Sequence, residues 1–310
     1  MKKSLGVVIG PSGIGKAHIR ELINYGFQNI YLLGKKFRKE RSILLNKEYK
    51  KVNFYNLKLI TEIKKIKPEV IHLCSPTKYH YDQILIIKNY CKHLIIEKPI
   101  FWIKDKDKDK SNYKVVKNLL NLKSNKIFVN LPMISLATQI KKKEKLKKIK
   151  KLNFNYFTNG KNKFEDNPID LLPHALSFLF TLNPKKENNY NIIGVNKKKY
   201  SWNCKMIVNE CLCKFYFKQD PKSRESIFSF KINNDTYLRK SFMKNNVYVN
   251  KVLKNEKKLI NLKNPMSDYL NLILKNLNKT EVLRKNNDIT IKSIQIIEKL
   301  INYKNFNENR

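Results

Sequence analysis

The chain is predicted to be α/β, with an N-terminal doubly wound parallel sheet and a C-terminal α+β domain carrying a mostly antiparallel open sheet. Three observations predict it. Through residue 130, short apolar β-branched runs alternate with runs of helical period, the pattern of strand–helix–strand crossovers. A glycine-rich turn, GPSGIG at 10–15, follows the first of those runs directly. Beyond residue 130, strand-like runs succeed one another between flanking helical stretches. The domains are accordingly placed at 1–130 and 131–310, each of ordinary size.

Taken in order, LGVVI (5–9) is the first strand and ends in the glycine turn. AHIRELINYG (17–26) has apolar residues at helical spacing and stops at a glycine. QNIYLL (28–33), EVIHLC (69–74), KHLIIE (92–97) and KIFVN (126–130) are further strands, with DQILIIKNY helical between the third and fourth of the five. DKDKDK (105–110) suits a solvated helix start, where Asp meets the positive end of the dipole. The lysine run at 141–151 is expected to be a solvated face, followed by the strand KLNFNYFTN. A helical patch at 170–182 and strand-like runs between 190 and 262 come next. PMSDYLNLILKNL and ITIKSIQIIEKLINY close the chain as helices.

The bulk numbers narrow the function. The 310 residues are 42% hydrophobic and 11% aromatic, which describes a folded chain, and the formal net charge is +40. Only seven of the 65 basic residues are arginine, the side chain on which specific base readout leans. With Lys, Asn, Ile and Tyr all abundant, the charge follows AT-rich codon usage, and no specific nucleic-acid partner is expected. The same field would favour anionic small substrates. Five cysteines (74, 91, 204, 211 and 213) form no disulfide or zinc spacing and suit a reducing cytoplasm. The N-terminal apolar run ends too early for a signal peptide, and no apolar segment reaches the ~20 residues that span a bilayer. A cytoplasmic protein with no membrane or metal partner is expected.

GPSGIGKAH (10–18) fits two phosphate-loop templates. Counted as G-x-x-x-x-G-K it is a P-loop, but Ala17 stands where that loop needs a hydroxyl for magnesium. Counted as a dinucleotide turn it has Gly10, Ser12 in the middle place and Gly15, and needs only a tight turn, a close backbone approach and a helix N-terminus. The second template is favoured. Gly10, Ser12, Gly13, Ile14 and Gly15 are then the candidate phosphate-binding residues.

Downstream, Ser75, Pro76, Thr77 and His80 form an S-P-x-x-x-H loop after one strand, and Glu97, Lys98 and Pro99 form E-K-P at the end of the next. His18 follows the glycine turn, and Asp170 and His174 form a D-x-x-x-H pair. Together with the closing helix, these motifs resemble the Gfo/Idh/MocA oxidoreductases, named after glucose-fructose oxidoreductase and inositol dehydrogenase. The resemblance implies a Rossmann dinucleotide-binding domain and an NAD(P)-dependent dehydrogenase or reductase. It further implies a sugar, cyclitol or nucleotide-sugar substrate and a homo-oligomer formed through the second-domain sheet.

The residues make chemical sense in those roles. Asp170 and His174, four apart on a helix, share one face, so the carboxylate can orient the imidazole as general acid or base, although Asp170 could instead be only a helix cap. Pro173 is tolerated if the helix starts near Asp170. Lys98, at the carboxyl end of a parallel strand, can polarise a substrate oxygen and relay a proton. His18 and His80 are expected to pack the cofactor loops, and His72 to be packed or paired in the core. Ser75, Pro76, Thr77, His80 and Glu97 are the further candidate cofactor residues. Past the second strand no acid precedes Glu40, whereas Lys35, Lys36 and Arg38 could pair with a 2′-phosphate, so NADP is preferred to NAD. An inactive dinucleotide-binding regulator with a basic surface is the alternative.

Overall fold

The computed structural model describes residues 5–34, 45–104, 111–121, 126–146, 148–185, 189–223, 226–244 and 247–303. Lys35, Lys36, Arg38 and the DKDKDK run lie outside them. The chain divides into two compact units. The first comprises Met1–Asn130 and Tyr269–Asp288, the second Leu131–Asp268 and Ile289–Arg310. Residues 269–288 therefore fall in the first unit, a return that a single cut after residue 130 does not contain.

In the first unit, strands β1 (Leu5–Ile9), β2 (Asn29–Leu33), β3 (Asn53–Leu57), β4 (Val70–Leu73), β5 (His93–Glu97) and β6 (Lys126–Asn130) form one sheet in the order β3-β2-β1-β4-β5-β6. Every neighbouring pair is parallel. Helices α1 (Gly15–Tyr25), α2 (Ile63–Ile66), α3 (His80–Ile87) and α4 (Asn112–Leu120) fill the crossovers. The central strands read as continuous apolar runs because helices cover both faces, and Val7, Val8, Ile71, Leu73, Ile95 and Ile96 are fully buried. Edge strand β3 escaped the sequence reading because it buries only Phe54 and leaves Tyr55 exposed, stacked on Tyr31 at 4.7 Å.

The other edge, β6, is closed by a side chain. Asn286 accepts a hydrogen bond from the Val129 amide (2.9 Å) and donates to the Val129 carbonyl (2.7 Å), as a further strand would. It also donates to the Tyr269 hydroxyl at 2.7 Å. Asn271 donates to Glu21 of α1 at 2.9 Å. These bonds hold residues 269–288 in the first unit.

The second unit is an eight-stranded sheet in the order β14-β13-β12-β11-β7-β10-β9-β8. Its strands are β7 (Lys151–Thr158), β8 (Tyr190–Lys197), β9 (Ser201–Val208), β10 (Cys211–Gln219), β11 (Ile227–Ile232), β12 (Asp235–Lys244), β13 (Val247–Lys254) and β14 (Lys258–Leu262). All pairs are antiparallel except β7 with β10. Helices α5 (Met133–Glu144) and α6 (Asp166–Leu182) pack on each other, and α6 lies on β7, β9 and β10. Alternate residues of the sheet meet α6: Trp202, Cys204 and Met206 on β9, Cys213, Phe215 and Phe217 on β10, Leu152 and Phe154 on β7. Phe178 of α6 is wedged among them, 5.8 Å from Phe154 and 4.9 Å from Phe230 between ring centroids. The chain closes with α7 (Pro265–Lys275) and α8 (Thr280–Ile301), through both of which the boundary between units passes.

One expectation is corrected. Helix α6 begins at Asp166, four residues before Asp170, so Asp170 is not its cap and Pro173 lies well inside it. The proline has no N–H for the Ile169 carbonyl one turn back, and burial against the sheet holds the helix together across the gap. The start signal is instead Asp166 with Pro168 in the first turn, where a missing N–H costs nothing.

A charged cluster ties α5 to the sheet. Glu144 accepts from Lys254 (2.7 Å) and Lys258 (2.9 Å), and Lys254 also reaches Asp235 at 2.8 Å. The Lys254 hydrogen bond, opposed by burial and helped by Lys258, holds the Glu144 carboxyl below its ordinary 4.5. A lowered acid stabilises the fold above its unfolded value and loses that contribution as pH falls through the folded value. Urea unfolding should therefore show stability declining as pH drops below about 4.5, and Glu144→Gln should flatten part of that decline.

Candidate active site

The order β2-β1-β4 reverses the direction of winding between β1 and β4, so a crevice opens at the carboxyl ends of those strands, beside Gly10 and Cys74. Gly10 has φ +79°, and a Cβ there would stand 2.6 Å from the Ser75 amide nitrogen. At Gly15 a Cβ would stand 2.1 Å from the Gly10 carbonyl oxygen. These two glycines let α1 begin directly against the end of β1. Gly13, at φ +53°, has nothing within 4 Å of a Cβ position. Ser12, Gly13 and Ile14 are exposed at the start of an 11-residue helix. A tight turn, an open backbone approach and a helix N-terminus are what a pyrophosphate requires, and the residues present fit a dinucleotide.

The loop after β4 is pinned to that turn and to the loop after β5. Ser75 Oγ donates to Gln83 at 2.5 Å, and Thr77 opens a short 3₁₀ turn after Pro76. His80, fully buried, places Nε2 2.7 Å from the Ser75 carbonyl and Nδ1 3.0 Å from the Ile100 carbonyl. Burial pushes this imidazole's pKa down, against the carbonyls of Ser75, Ile100 and Pro99, which favour its protonated form. His80 thus pins the loop after β4 to the loop after β5.

Glu97 ends β5 and Lys98 follows it, half-buried. Glu97 Oε1 accepts from His18 Nε2 at 2.7 Å and from Asn130 Nδ2 at 2.5 Å. His18 in turn places Nδ1 2.6 Å from Nδ1 of His72. The core role read for His72 is therefore a specific one. Burial would raise the Glu97 carboxyl, but the hydrogen bond and charge of His18, then Asn130 and Lys98, bring it below its ordinary value. Burial, and then the charge of His18, push the His72 imidazole well below its ordinary value.

The remaining candidates belong to the second unit. Asp170 and His174 lie one turn apart on α6, and His174 is 8% exposed. The His174 ring meets Tyr156 of β7 edge-on at 5.6 Å. Asp170 Oδ2 accepts from Gln219 Nε2 at 2.7 Å and from Asn162 Nδ2 at 3.1 Å. Gln219 Oε1 accepts from the Asn162 amide at 3.1 Å, and a Cβ on Gly160 would collide with the same oxygen. Asn162 and Gln219 were missed by the sequence reading. No motif marks them, since they lie eight residues before Asp170 and forty-nine after it. Among the described residues, no cluster of His, Cys, Asp or Glu could hold a metal ion, and no helix is long and apolar enough to cross a membrane.

The two crowded glycines and the open one separate packing from strain. Gly15→Ala should destabilise the fold by about 1–3 kcal/mol through overpacking and weaken NADPH or NADH binding. Gly13→Ala should cost only the left-handed backbone penalty, about 1–2 kcal/mol. Urea unfolding and cofactor fluorescence titration of both variants check the contrast.

Residues 6–130 match the model of the Gfo/Idh/MocA family, described as an oxidoreductase family with an NAD-binding Rossmann fold. No curated protein sequence matches the chain. Among solved structures, the chain is similar to a dehydrogenase (MviM) from Clostridium difficile, at 16% identity and TM-score 0.67 over 97% of this chain and 99% of that one. It is similar to the WlbA (WbpB) dehydrogenase from Thermus thermophilus, solved with NAD and UDP-GlcNAcA, at 11% identity and TM-score 0.65 over 97% and 95%. A third is KijD10, a 3-ketoreductase from Actinomadura kijaniata solved with TDP-benzene and NADP, at 8% identity and TM-score 0.69 over 96% and 97%. At these identities the structural likeness speaks for the fold, and the family model speaks for the first domain. Over residues 6–130 the chain is similar to the NAD-binding Rossmann domain of the Gfo/Idh/MocA oxidoreductase family.

Proposed function

We propose that the protein is an NAD(P)-dependent oxidoreductase acting on a carbinol or carbonyl carbon of a sugar, cyclitol or nucleotide-sugar. The observation that carries this reading is the convergence of three cofactor-side elements in one unit. The Gly10 turn packs on Ser75, and His80 pins Ser75 to the loop that follows Lys98. The nicotinamide cofactor, when bound, supplies the hydride acceptor or donor. Gly10, Ser12, Gly13, Ile14 and Gly15 bind its phosphates, and Ser75, Pro76 and Thr77 line its path. Lys98 polarises the substrate oxygen and relays a proton; His174 takes or gives that proton, oriented by Asp170. Asp170 can keep a fixed orientation because Gln219 and Asn162 anchor its carboxylate.

NADP is the proposed choice over NAD, resting on Lys35, Lys36 and Arg38 and on the missing acid before Glu40. Solved relatives of similar fold bound to UDP- and TDP-linked ligands support a nucleotide-sugar, and the net charge of +40 suits an anionic one. Five free thiols suit the cytoplasm. Self-association would use the open face of the eight-stranded sheet, where Ile207, Tyr216 and Ile227 are exposed. A cavity of about 450 Å³ on that face is lined by Asn155, Asn203, Lys205 and Lys214 among others.

Fluorescence titration should give tighter binding of NADPH than NADH, and a screen of sugars and nucleotide-sugars with the preferred cofactor should reveal turnover. Lys98→Ala and His174→Ala should each lower kcat by at least about 100-fold while cofactor affinity survives. Loss of cofactor binding in either variant would refute the roles given to these residues.

A further inference from the structure

The two faces of the eight-stranded sheet treat their lysines differently. On the helix-covered face, Lys254 and Lys258 meet Glu144 at 2.7 and 2.9 Å. On the open face, the register sets a row of cations across four strands: Lys231 of β11 stands opposite Asn153 of β7, Asn153 opposite Lys214 of β10, and Lys214 opposite Lys205 of β9. All three lysines are exposed, and none has an ion-pair partner among the described residues. Like charges directly opposite each other destabilise a sheet, and Lys205 and Lys214 are such a pair. From β11 to β8, the described strand residues of this face include no Asp or Glu. Lys218, nearer the end of β10, meets Asp220 just past that strand at 3.4 Å.

The next row, about 7 Å further along the strands, is neutral. Ser229, Asn155, Tyr216, Asn203 and Asn196 stand opposite one another in turn. Asn155 donates to Ser229 at 3.3 Å, and Tyr216, 37% exposed, is braced by Phe157 in a T-shaped contact at 5.0 Å. Both rows contribute to the wall of the cavity of about 450 Å³, whose lining contains no carboxylate. Gly194, opposite Lys205 at a bulge of β8, adds no side chain to the edge of the cation row.

We propose that this cavity is a second nucleotide site: Lys205 and Lys214, with Lys231 beyond them, take the phosphates, and the row of Tyr216, Asn155 and Asn203 takes the base. Lysine ammonium groups serve phosphate as point charges. Side-chain amides carry donors and acceptors together, and an exposed aromatic ring stacks a base of any identity. The volume is that of a small-molecule site, and a bound anion would offset the repulsion between Lys205 and Lys214 that folding alone leaves in place. The site lies on the sheet face away from α6, so it uses neither Asp170 nor His174 and is independent of the hydride chemistry proposed above.

The test is equilibrium dialysis of ADP, without magnesium, against the full-length protein at about 0.15 M NaCl, where distant surface charges are screened, with and without saturating NADPH. ADP should stay bound at equal molar ratio to the chain when NADPH is saturating. The double variant Lys205→Gln/Lys214→Gln should weaken that ADP by about tenfold or more, and Tyr216→Ala by about tenfold. Asn203→Asp, which adds a carboxylate to the cavity at unchanged volume, should weaken it likewise. None of these should move the NADPH dissociation constant. The control Lys64→Gln/Lys65→Gln, which removes the same charge from exposed positions of α2, should leave ADP binding as it is. Displacement of all ADP by NADPH overturns the proposal, because the dinucleotide turn then accounts for the binding. So does equal weakening in the Lys64/Lys65 control, which would reduce the effect to net charge, or undiminished ADP binding in a folded Lys205/Lys214 variant. ADP that binds with Lys214 dependence to a protein with no affinity for NADPH would uphold this site and remove the nicotinamide reading of the first unit.

Discussion

The first unit depends on how closely α1 can approach the end of β1. With a Cβ on residue 15 only 2.1 Å from the Gly10 oxygen, any side chain there would drive the helix off the strand. The helix would then no longer point its N-terminal amides across the reversal point of the sheet. His18, one turn further along α1, would lose its reach to Glu97 on β5 and His72 on β4. One backbone contact thereby sets both the glycine turn and the buried polar line beneath it, and the two features of the fold have a common origin.

Much of this was legible in the sequence because the determining forces are local or periodic. β1, β4 and β5 stood out as apolar runs, since a parallel sheet covered on both faces buries nearly all of its central strands, and β6, though at the edge, buries all but its first residue. The glycine turn was legible because only glycine accepts a left-handed φ together with backbone at van der Waals limits. β3 was not, because an edge strand with one buried residue has the composition of a loop. The start of α6 was not legible because a helix this deeply buried tolerates an interior proline, Pro173, that an exposed one would not.

The polar networks were the least legible part, for a physical reason. Hydrogen bonds between side chains distant in sequence follow from the fold and leave no periodic trace. The Asp170 anchors Asn162 and Gln219, the His18–His72 contact, and the Asn286 clamp on Val129 are all of this kind. Motif reading recovers a residue such as Asp170 or Glu97 and is silent on the neighbours that fix its charge and direction. In both units those neighbours are mostly amides, which satisfy a carboxylate without adding a charge of their own.

The clamp on β6 has a consequence for how the protein is made. A ribosome releases the six strands of the parallel sheet long before residues 269–288, so the nascent first unit carries an open strand edge while the whole second sheet is being synthesised. Until Asn286 arrives, the Val129 amide and carbonyl are available to any passing strand, and a growing eight-stranded sheet on the same polypeptide is a nearby source of them. Vectorial folding of this chain therefore has a window of mispairing that closes only with its last helix.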